Sequence, residues 1–353
     1  MISEKNLGFL KDLVSAPSPS GFEAPAQQVV RKFLAPYADE LSSDNNGNLI
    51  AFKKGSGKLK VMVVGHADEI GFIINHIDEQ GYLYVKTLGG FDLNLLPGLR
   101  VDIHHQDQVV RGIIGKKPIH MMRGAEEAPK LKLEDLWIDI GATSKEDALK
   151  RVAIGDIITY HSQFERLSDD MIVAKATDNK VGVYVAAVVM QELARKKLKA
   201  NYYAVSSVGE ETTMRGASTA AFQIEPDIAI AVDVTFTSDI PGSDKRLYGD
   251  LALGKGPTIS IGAALHPVIR EKLTGIADKQ KIPYQLEIAP GRTGTDADAI
   301  HALKAGAATA VIGIPNRYMH TPNEVVSLSD LENAVKLVAA FVQAVDDKIT
   351  LKR

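Results

Sequence analysis

The chain contains no cysteine, which excludes disulfides, thiolate metal sites and a cysteine nucleophile together. Any metal must therefore be held by His, Asp and Glu. No stretch approaches the roughly 18 uninterrupted apolar residues that a membrane span requires, so no membrane partner is expected. An excess of one charge is lacking too. Lys and Arg number 41 against 44 Asp and Glu, for a formal net charge of −3, and nothing in that balance draws the chain to nucleic acid. The amino-terminal MISEKNLGFLKDLVSAPSPSG mixes acidic and basic residues through a short amphipathic pattern and is not a signal peptide, which leaves the cytoplasm as the expected compartment. Also missing are a Ser-centred nucleophile elbow, a phosphate-binding glycine loop and a dinucleotide fingerprint. Gly89-Gly90 and Gly254-x-Gly256 read as turn glycines.

What is present is the composition of an ordinary globular protein, 45% apolar and 24% charged over 353 residues. That length suggests two domains at about 150 residues each. Residues from Ser3 to about Tyr37 have helical spacing broken at Pro17, Pro19 and Gly21, which predicts two helices joined by a turn. Leu49–Phe52 and Leu59–Gly65 read as strands, the second apolar enough to be buried on both faces. From Phe72 to about Phe164 the pattern becomes short β-like pieces (FIINHI, YLYVKTL, RVDIHH, VVRGIIG, LWIDIG, DIITYH) with turn signals between them and one short helical patch near Lys145–Lys150. Beyond Met171, strands alternate with helices again: a long helix from about Asn179 to Lys197, strands at Tyr202, Asp227, Thr258, Tyr284 and Ala308, a helix after Pro267, and a last helix from Ser329 to Asp346. The expected fold class is α/β, a mostly parallel sheet with helices on both faces, interrupted by a small all-β barrel. The expected domains are 1–71 plus 165–353 for the α/β part and 72–164 for the insert.

Chemistry enters where apolar runs stop. VMVVG ends at His66-Ala-Asp68, IVAKAT at Asp178, YYAVSSVG at Glu210-Glu211, IAIAV at Asp233 and AVIGIPNRYM at His320. The carboxyl ends of neighbouring strands in an open α/β sheet face one crevice, so such residues can converge from all over the chain. Two His and several carboxylates without a thiol suit a pair of hydrolytic metal ions. Singly, each residue has a plainer reading. His66 and Asp68 lie on one face if the strand continues, with Asp68 placed to take the second imidazole N–H, or they form an ordinary turn. Asp178 either caps the long helix or bridges two cations about 3.5–4 Å apart. Glu210 and Glu211, in extended chain, point opposite ways, so that one could ligate while the other faces a bound water; the alternative is a solvated pair. Asp233 ends so apolar a run that its charge demands a partner or a metal. The other seven histidines (His76, His104, His105, His120, His161, His266 and His301) read as structural or surface residues.

Taken together, these residues resemble the tetrahedral (TET) aminopeptidases, the dinuclear metallopeptidase family 42 that also carries the labels glutamyl aminopeptidase, deblocking aminopeptidase and endoglucanase M. The likeness runs through Pro19-Ser20-Gly21-Phe22-Glu23, the GHADEIGF run at Gly65–Phe72, Asp178-Asn179-Lys180 with Gly182, Val208-Gly209-Glu210-Glu211, Asp233, Gly294-Thr295-Asp296-Ala297 and Arg317-Tyr318-Met319-His320-Thr321-Pro322. It implies a phosphorylase/hydrolase-like dinuclear peptidase fold and a PDZ-like barrel that makes dimer contacts. It further implies a metal-dependent aminopeptidase acting on peptide substrates with two divalent metal ions per subunit, Zn or Co, and a bridging water. One metal would be held by His66 and Asp233 and the other by Glu211 and His320, with Asp178 between them. Glu210 would be the general base and Asp68 the residue that orients His66. The resemblance also implies a cis peptide after Asp178 and a homo-oligomer, a dodecamer built from dimers. Arg292, beside Gly294, is the candidate substrate-binding residue for an acidic side chain. The competing readings are a related dinuclear-metal deacylase or carboxypeptidase, and an endoglucanase; a glycosidase would leave His66 and His320 without a task.

Overall fold

Alternating burial along apolar strands builds two layers of core on either side of one large sheet. The computed structural model describes residues 2–121 and 130–352. Met1, Arg353 and residues 122–129, the last within the expected insert, lie outside the described residues.

The chain opens with helices α1 (Glu4–Ser15) and α2 (Ala24–Leu34). Ser3 caps the first, its hydroxyl accepting the Asn6 N–H at 3.2 Å. Strands β1 (Glu40–Ser43), β2 (Leu49–Lys53) and β3 (Lys60–His66) follow. The next six are β4 (Gly71–Ile77), β5 (Leu83–Leu88), β6 (Arg100–His105), β7 (Gln108–Lys116), β8 (Leu136–Asp139) and β9 (Ile157–Tyr160). They close into an antiparallel barrel in the order β4-β5-β8-β7-β6-β9, around Phe72, Leu83, Val101, Ile103, Ile138 and Ile158. Helix α3 (Lys145–Leu149) adds Ala148 to that core. Closure leaves the barrel no free edge.

The chain then returns to the main sheet through β10 (Glu165–Arg166) and β11 (Met171–Ala174), α4 (Thr177–Leu193), β12 (Asn201–Ser207), α5 (Glu210–Thr213), α6 (Arg215–Ile224) and β13 (Ile228–Phe236). It ends with α7 (Lys245–Tyr248), β14 (Thr258–Ile261), α8 (Pro267–Gln280), β15 (Gln285–Ile288), α9 (Ala297–Ile300), β16 (Ala308–Arg317), β17 (Glu324–Ser327) and α10 (Leu328–Ala344). Val61 and Val63 of β3, with Ile228, Ile230 and Val232 of β13, pack into the layer of α1, α2, α4 and α10. Their neighbours Met62, Val64, Ala229 and Ala231 pack on the opposite side with α6 and α9.

The expectation of a mostly parallel sheet needs correction. Among the strands of the described residues, parallel pairing joins the four central strands β12, β3, β13 and β16, and β14 with β15. The flanks β1-β2, β2-β12, β16-β17, β17-β11, β11-β10 and β14-β16 are antiparallel. Several of these strands are joined by short returns, and a short return can only give an antiparallel neighbour. The long helix also ends sooner than expected, at Leu193, and α6 occupies a stretch in which no helix was expected.

Two glycines bring α4 onto the sheet. A Cβ at Gly65 would lie 2.4 Å from the Gly182 carbonyl carbon, and one at Gly182 would lie 2.2 Å from the Val232 oxygen. That contact sets the start of α4 over the carboxyl ends of β3 and β13.

Candidate metal centre

The carboxyl ends of the parallel strands supply the first donors. His66 is the last residue of β3, and Asp233 lies toward the end of β13 on the face shared with Ala229 and Ala231. Above them the chain enters α4, where Asp178 and Asn179 are non-helical and the bond between them is cis. The capping role goes to Asn179, whose side-chain oxygen accepts the Gly182 N–H at 3.0 Å while its amide donates to the Val232 carbonyl at 2.8 Å. Asp178 is thereby left free of capping. Its Oδ1 stands 3.3 Å from His66 Nε2, and its Oδ2 stands 3.2 Å from His320 Nε2.

His320 comes from the loop after β16, where Tyr318 and His320 both have positive φ, 66° and 63°. Such conformations are uncommon outside glycine and persist where surroundings enforce them. Glu324, which sequence reasoning missed, is the enforcing group. Its Oε1 accepts the His320 N–H at 3.0 Å, and its Oε2 accepts the Asp178 N–H at 2.9 Å and the Thr177 hydroxyl at 2.7 Å.

Glu210 and Glu211 open α5 rather than extending a strand, so their different directions come from about 100° of helical turn per residue and not from strand alternation. Glu211 Oε2 lies 3.4 Å from His320 Nε2, and Glu210 Oε2 lies 3.6 Å from His66 Nε2. Asp68 accepts both of their N–H groups, at 3.0 and 3.1 Å, and the Ser20 hydroxyl at 2.6 Å. His66 Nδ1 is 3.1 Å from the Asp68 carbonyl and 3.4 Å from its carboxylate. A carbonyl only accepts, so Nδ1 carries the hydrogen and Nε2 faces the acids.

Among the described residues, two sets of donor atoms each lie within 4.8 Å of one another: His66 with Asp178 and Asp233, and Asp178 with Glu211 and His320. Asp178 belongs to both. Asp296, in a motif recognised by resemblance but given no role, is buried beside them and accepts the Ser207 hydroxyl at 2.5 Å. Arg292 borders the same cleft, of about 670 Å³, but its side chain is 82% exposed and pairs with Asp298 at 3.4 Å. A larger cleft of about 1140 Å³ shares Arg292 and none of the donors.

The acids outnumber the cations here. Burial, together with Asp296, Glu211 and Asp178, pushes the Glu210 carboxyl up to about 8. Burial, Asp178 and Glu210 raise Asp233 well above the ordinary carboxylate range, and burial and Asp178 raise Glu211. Against burial, Glu210, Asp178 and Asp68 hold His66 well above its ordinary value, and Asp178 and Glu211 push His320 up to about 11. Asp178 is also buried, yet hydrogen bonds from the two imidazoles hold it low. A cluster of oxygen and imidazole donors crowded until the acids resist ionisation is short of positive charge, and that deficit fits divalent cations.

Comparison with known proteins points the same way. Residues 47–337 match the family model described as M42 glutamyl aminopeptidase. A lysyl aminopeptidase of Pyrococcus furiosus is 35% identical over 95% of this chain and 96% of its own length. The TET aminopeptidase of Thaumarchaeota archaeon SCGC AB-539-E09 is 33% identical and superposes with a TM-score of 0.93 over 98% of both chains. The Pyrococcus horikoshii TET1 peptidase, which can assemble into a tetrahedron or a large octahedral shell, is 29% identical with a TM-score of 0.86, over 96% of this chain and all of that one.

Proposed function

The chain belongs to the M42 glutamyl aminopeptidase family and is a peptidase; from that premise we propose that it removes amino-terminal residues from peptides at a centre of two divalent metal ions. The observation that carries the proposal is the two-sided Asp178, with His66 against one oxygen and His320 against the other. His66, Asp178 and Asp233 would hold one ion, and Asp178, Glu211 and His320 the second. Zinc or cobalt in those positions would polarise the scissile carbonyl and acidify the attacking water.

The chain's own groups do the rest. Glu210 stands outside both donor sets, with its carboxylate 3.6 Å from His66 Nε2 at the edge of the centre. It takes the proton of the attacking water on a carboxylate oxygen and delivers it to the departing amine nitrogen. Asp68 fixes the start of α5, and with it the direction of Glu210. Glu324 fixes Asp178 and His320 by their backbones. An endoglucanase reading would use two of these acids and leave both imidazoles idle.

The barrel contributes no donor to either set. Val109 and Ile113, four residues apart on β7, are exposed on its outer face, which suits a contact between copies. Its role is assembly, and the chain forms a closed oligomer as the P. horikoshii relative does.

A matched pair of unstructured peptides, one with a free amino terminus and one acetylated, tests the activity. Loss of the leading residue from the free peptide alone is expected. Equal cleavage of both would point to a deacylase or an endopeptidase.

A further inference from the structure

Glu287 lies in the same cleft as the donor residues, on the far side of a short row of strands. In the sheet, Asp233 of β13 is paired with Gly313 of β16, Gly313 with Thr258 of β14, and Ser260 of β14 with Glu287 of β15. Paired residues share a face, and so do residues two apart, so Asp233, Thr235, Gly313, Thr258, Ser260 and Glu287 all face one side. Thr235 lies about 7 Å along β13 from Asp233, and its hydroxyl donates to Glu287 Oε1 at 2.6 Å. Thr258 and Ser260 donate to Glu287 Oε2 at 2.7 and 3.2 Å. Three neutral donors hold this carboxylate over the sheet, and among the described residues no lysine, arginine or histidine pairs with it. Gly313 keeps the path open: a Cβ there would lie 2.3 Å from the Thr258 hydroxyl oxygen and 3.1 Å from Glu287 Oε2.

We propose that this end of the cleft receives the side chain of the residue being released, that it selects lysine and arginine, and that Glu287 reads their charge. The inference rests on the aminopeptidase reading above. Two residues along β13 span about 7 Å, of the order of a long basic side chain's reach from Asp233 to the Thr235 hydroxyl that Glu287 accepts, and Val311, Phe236 and Ala289 line the same cleft for its methylene stem. An acid fixed by three hydroxyls and lacking a cation is completed by a substrate ammonium or guanidinium, which forms a charge-assisted bond with it. The alternative, an acidic residue read by Arg292, fits less well. That guanidinium projects into solvent against Asp298, and an acidic side chain reaching past it would meet Glu287.

The test is a panel of Lys, Arg, Leu and Glu p-nitroanilides given to the zinc- or cobalt-loaded enzyme. Lys and Arg should lead in kcat/KM and Glu should be last. Glu287→Gln should lower the Lys-to-Leu ratio of kcat/KM by about 10²-fold, and Glu287→Lys should raise the rank of the Glu substrate. Hydrolysis led by Leu or Glu in the wild-type enzyme would overturn this inference alone. No hydrolysis of any of the four would overturn the aminopeptidase reading, and this inference with it. The wild-type panel decides even if a substitution unfolds the protein.

Discussion

Asp68 accepts the backbone N–H of Glu210 at 3.0 Å, and its second oxygen takes the N–H of Glu211 at 3.1 Å. One buried carboxylate thus clamps the first turn of α5, where an anion is favoured by the exposed N–H groups. The same residue's carbonyl fixes the His66 ring. Burial raises the Asp68 pKa, but hydrogen bonds from His66, Ser20 and the Glu210 backbone overcome it and hold the group ionised. Asp68→Ala should weaken metal binding and turnover together, each by about 10–100-fold, with the circular dichroism spectrum retained. Unchanged metal affinity, measured by competition with a chelator, would remove Asp68 from the machinery.

Glu210 makes a different prediction because it lies outside both donor sets. Glu210→Gln should keep two metals per chain in elemental analysis while turnover falls by about 10²–10⁴-fold. Loss of an ion from this variant would make Glu210 a ligand.

The strand-end residues that meet in the cleft were legible because an acid or imidazole closing an apolar run stands out in sequence. His66, Asp178, Asp233 and His320 are all of that kind. The barrel strands were legible for a similar reason, since turn signals separate them. Glu324 and Glu69 gave no such signal. Each reads as a loop acid, and only tertiary packing makes them buried, at 2% exposure each. Helix α6 was missed because RGASTAAFQI is built of small residues whose apolar face is narrow. The antiparallel flanks were missed because the short strands β1, β10 and β17, which return on their sequence neighbours, are too short and mixed in polarity to read as strands.

Glu69 holds the ground beneath the centre. Its carboxylate meets Lys175 at 2.6 Å and Lys180 at 3.1 Å, with all three side chains buried. Burial raises the Glu69 pKa, but the two ammoniums overcome it and bring the group below its ordinary 4.5. Lys180 is nevertheless pushed down to about 7 by its burial, because one acid cannot neutralise two ammoniums. Glu69→Gln should cost about 3–5 kcal/mol, since it leaves both charges uncompensated. The folded Glu69 binds its proton more weakly than the unfolded one. Its contribution is therefore complete above about pH 4.5 and is lost as the pH falls through the lower folded value. Melting curves of the chelator-treated protein should show a shallower acid-side decline for Glu69→Gln than for wild type. Parallel declines would assign acid sensitivity elsewhere.

The barrel makes a prediction about size. Replacing residues 72–164 with a short loop should give smaller particles in light scattering, because the exposed Val109 and Ile113 leave with it. The milder change of both to Thr should shift the particle distribution in the same direction. An oligomer unchanged by either would place the contacts on the α/β part.

The metal titration of peptidase activity tests the central claim most directly. After chelation and elemental analysis, the protein should release no amino-terminal residue. Activity should return as zinc or cobalt is added and level off near two ions per chain, the number the two donor sets around Asp178 can hold. Full activity in a preparation shown to be free of metal would contradict it.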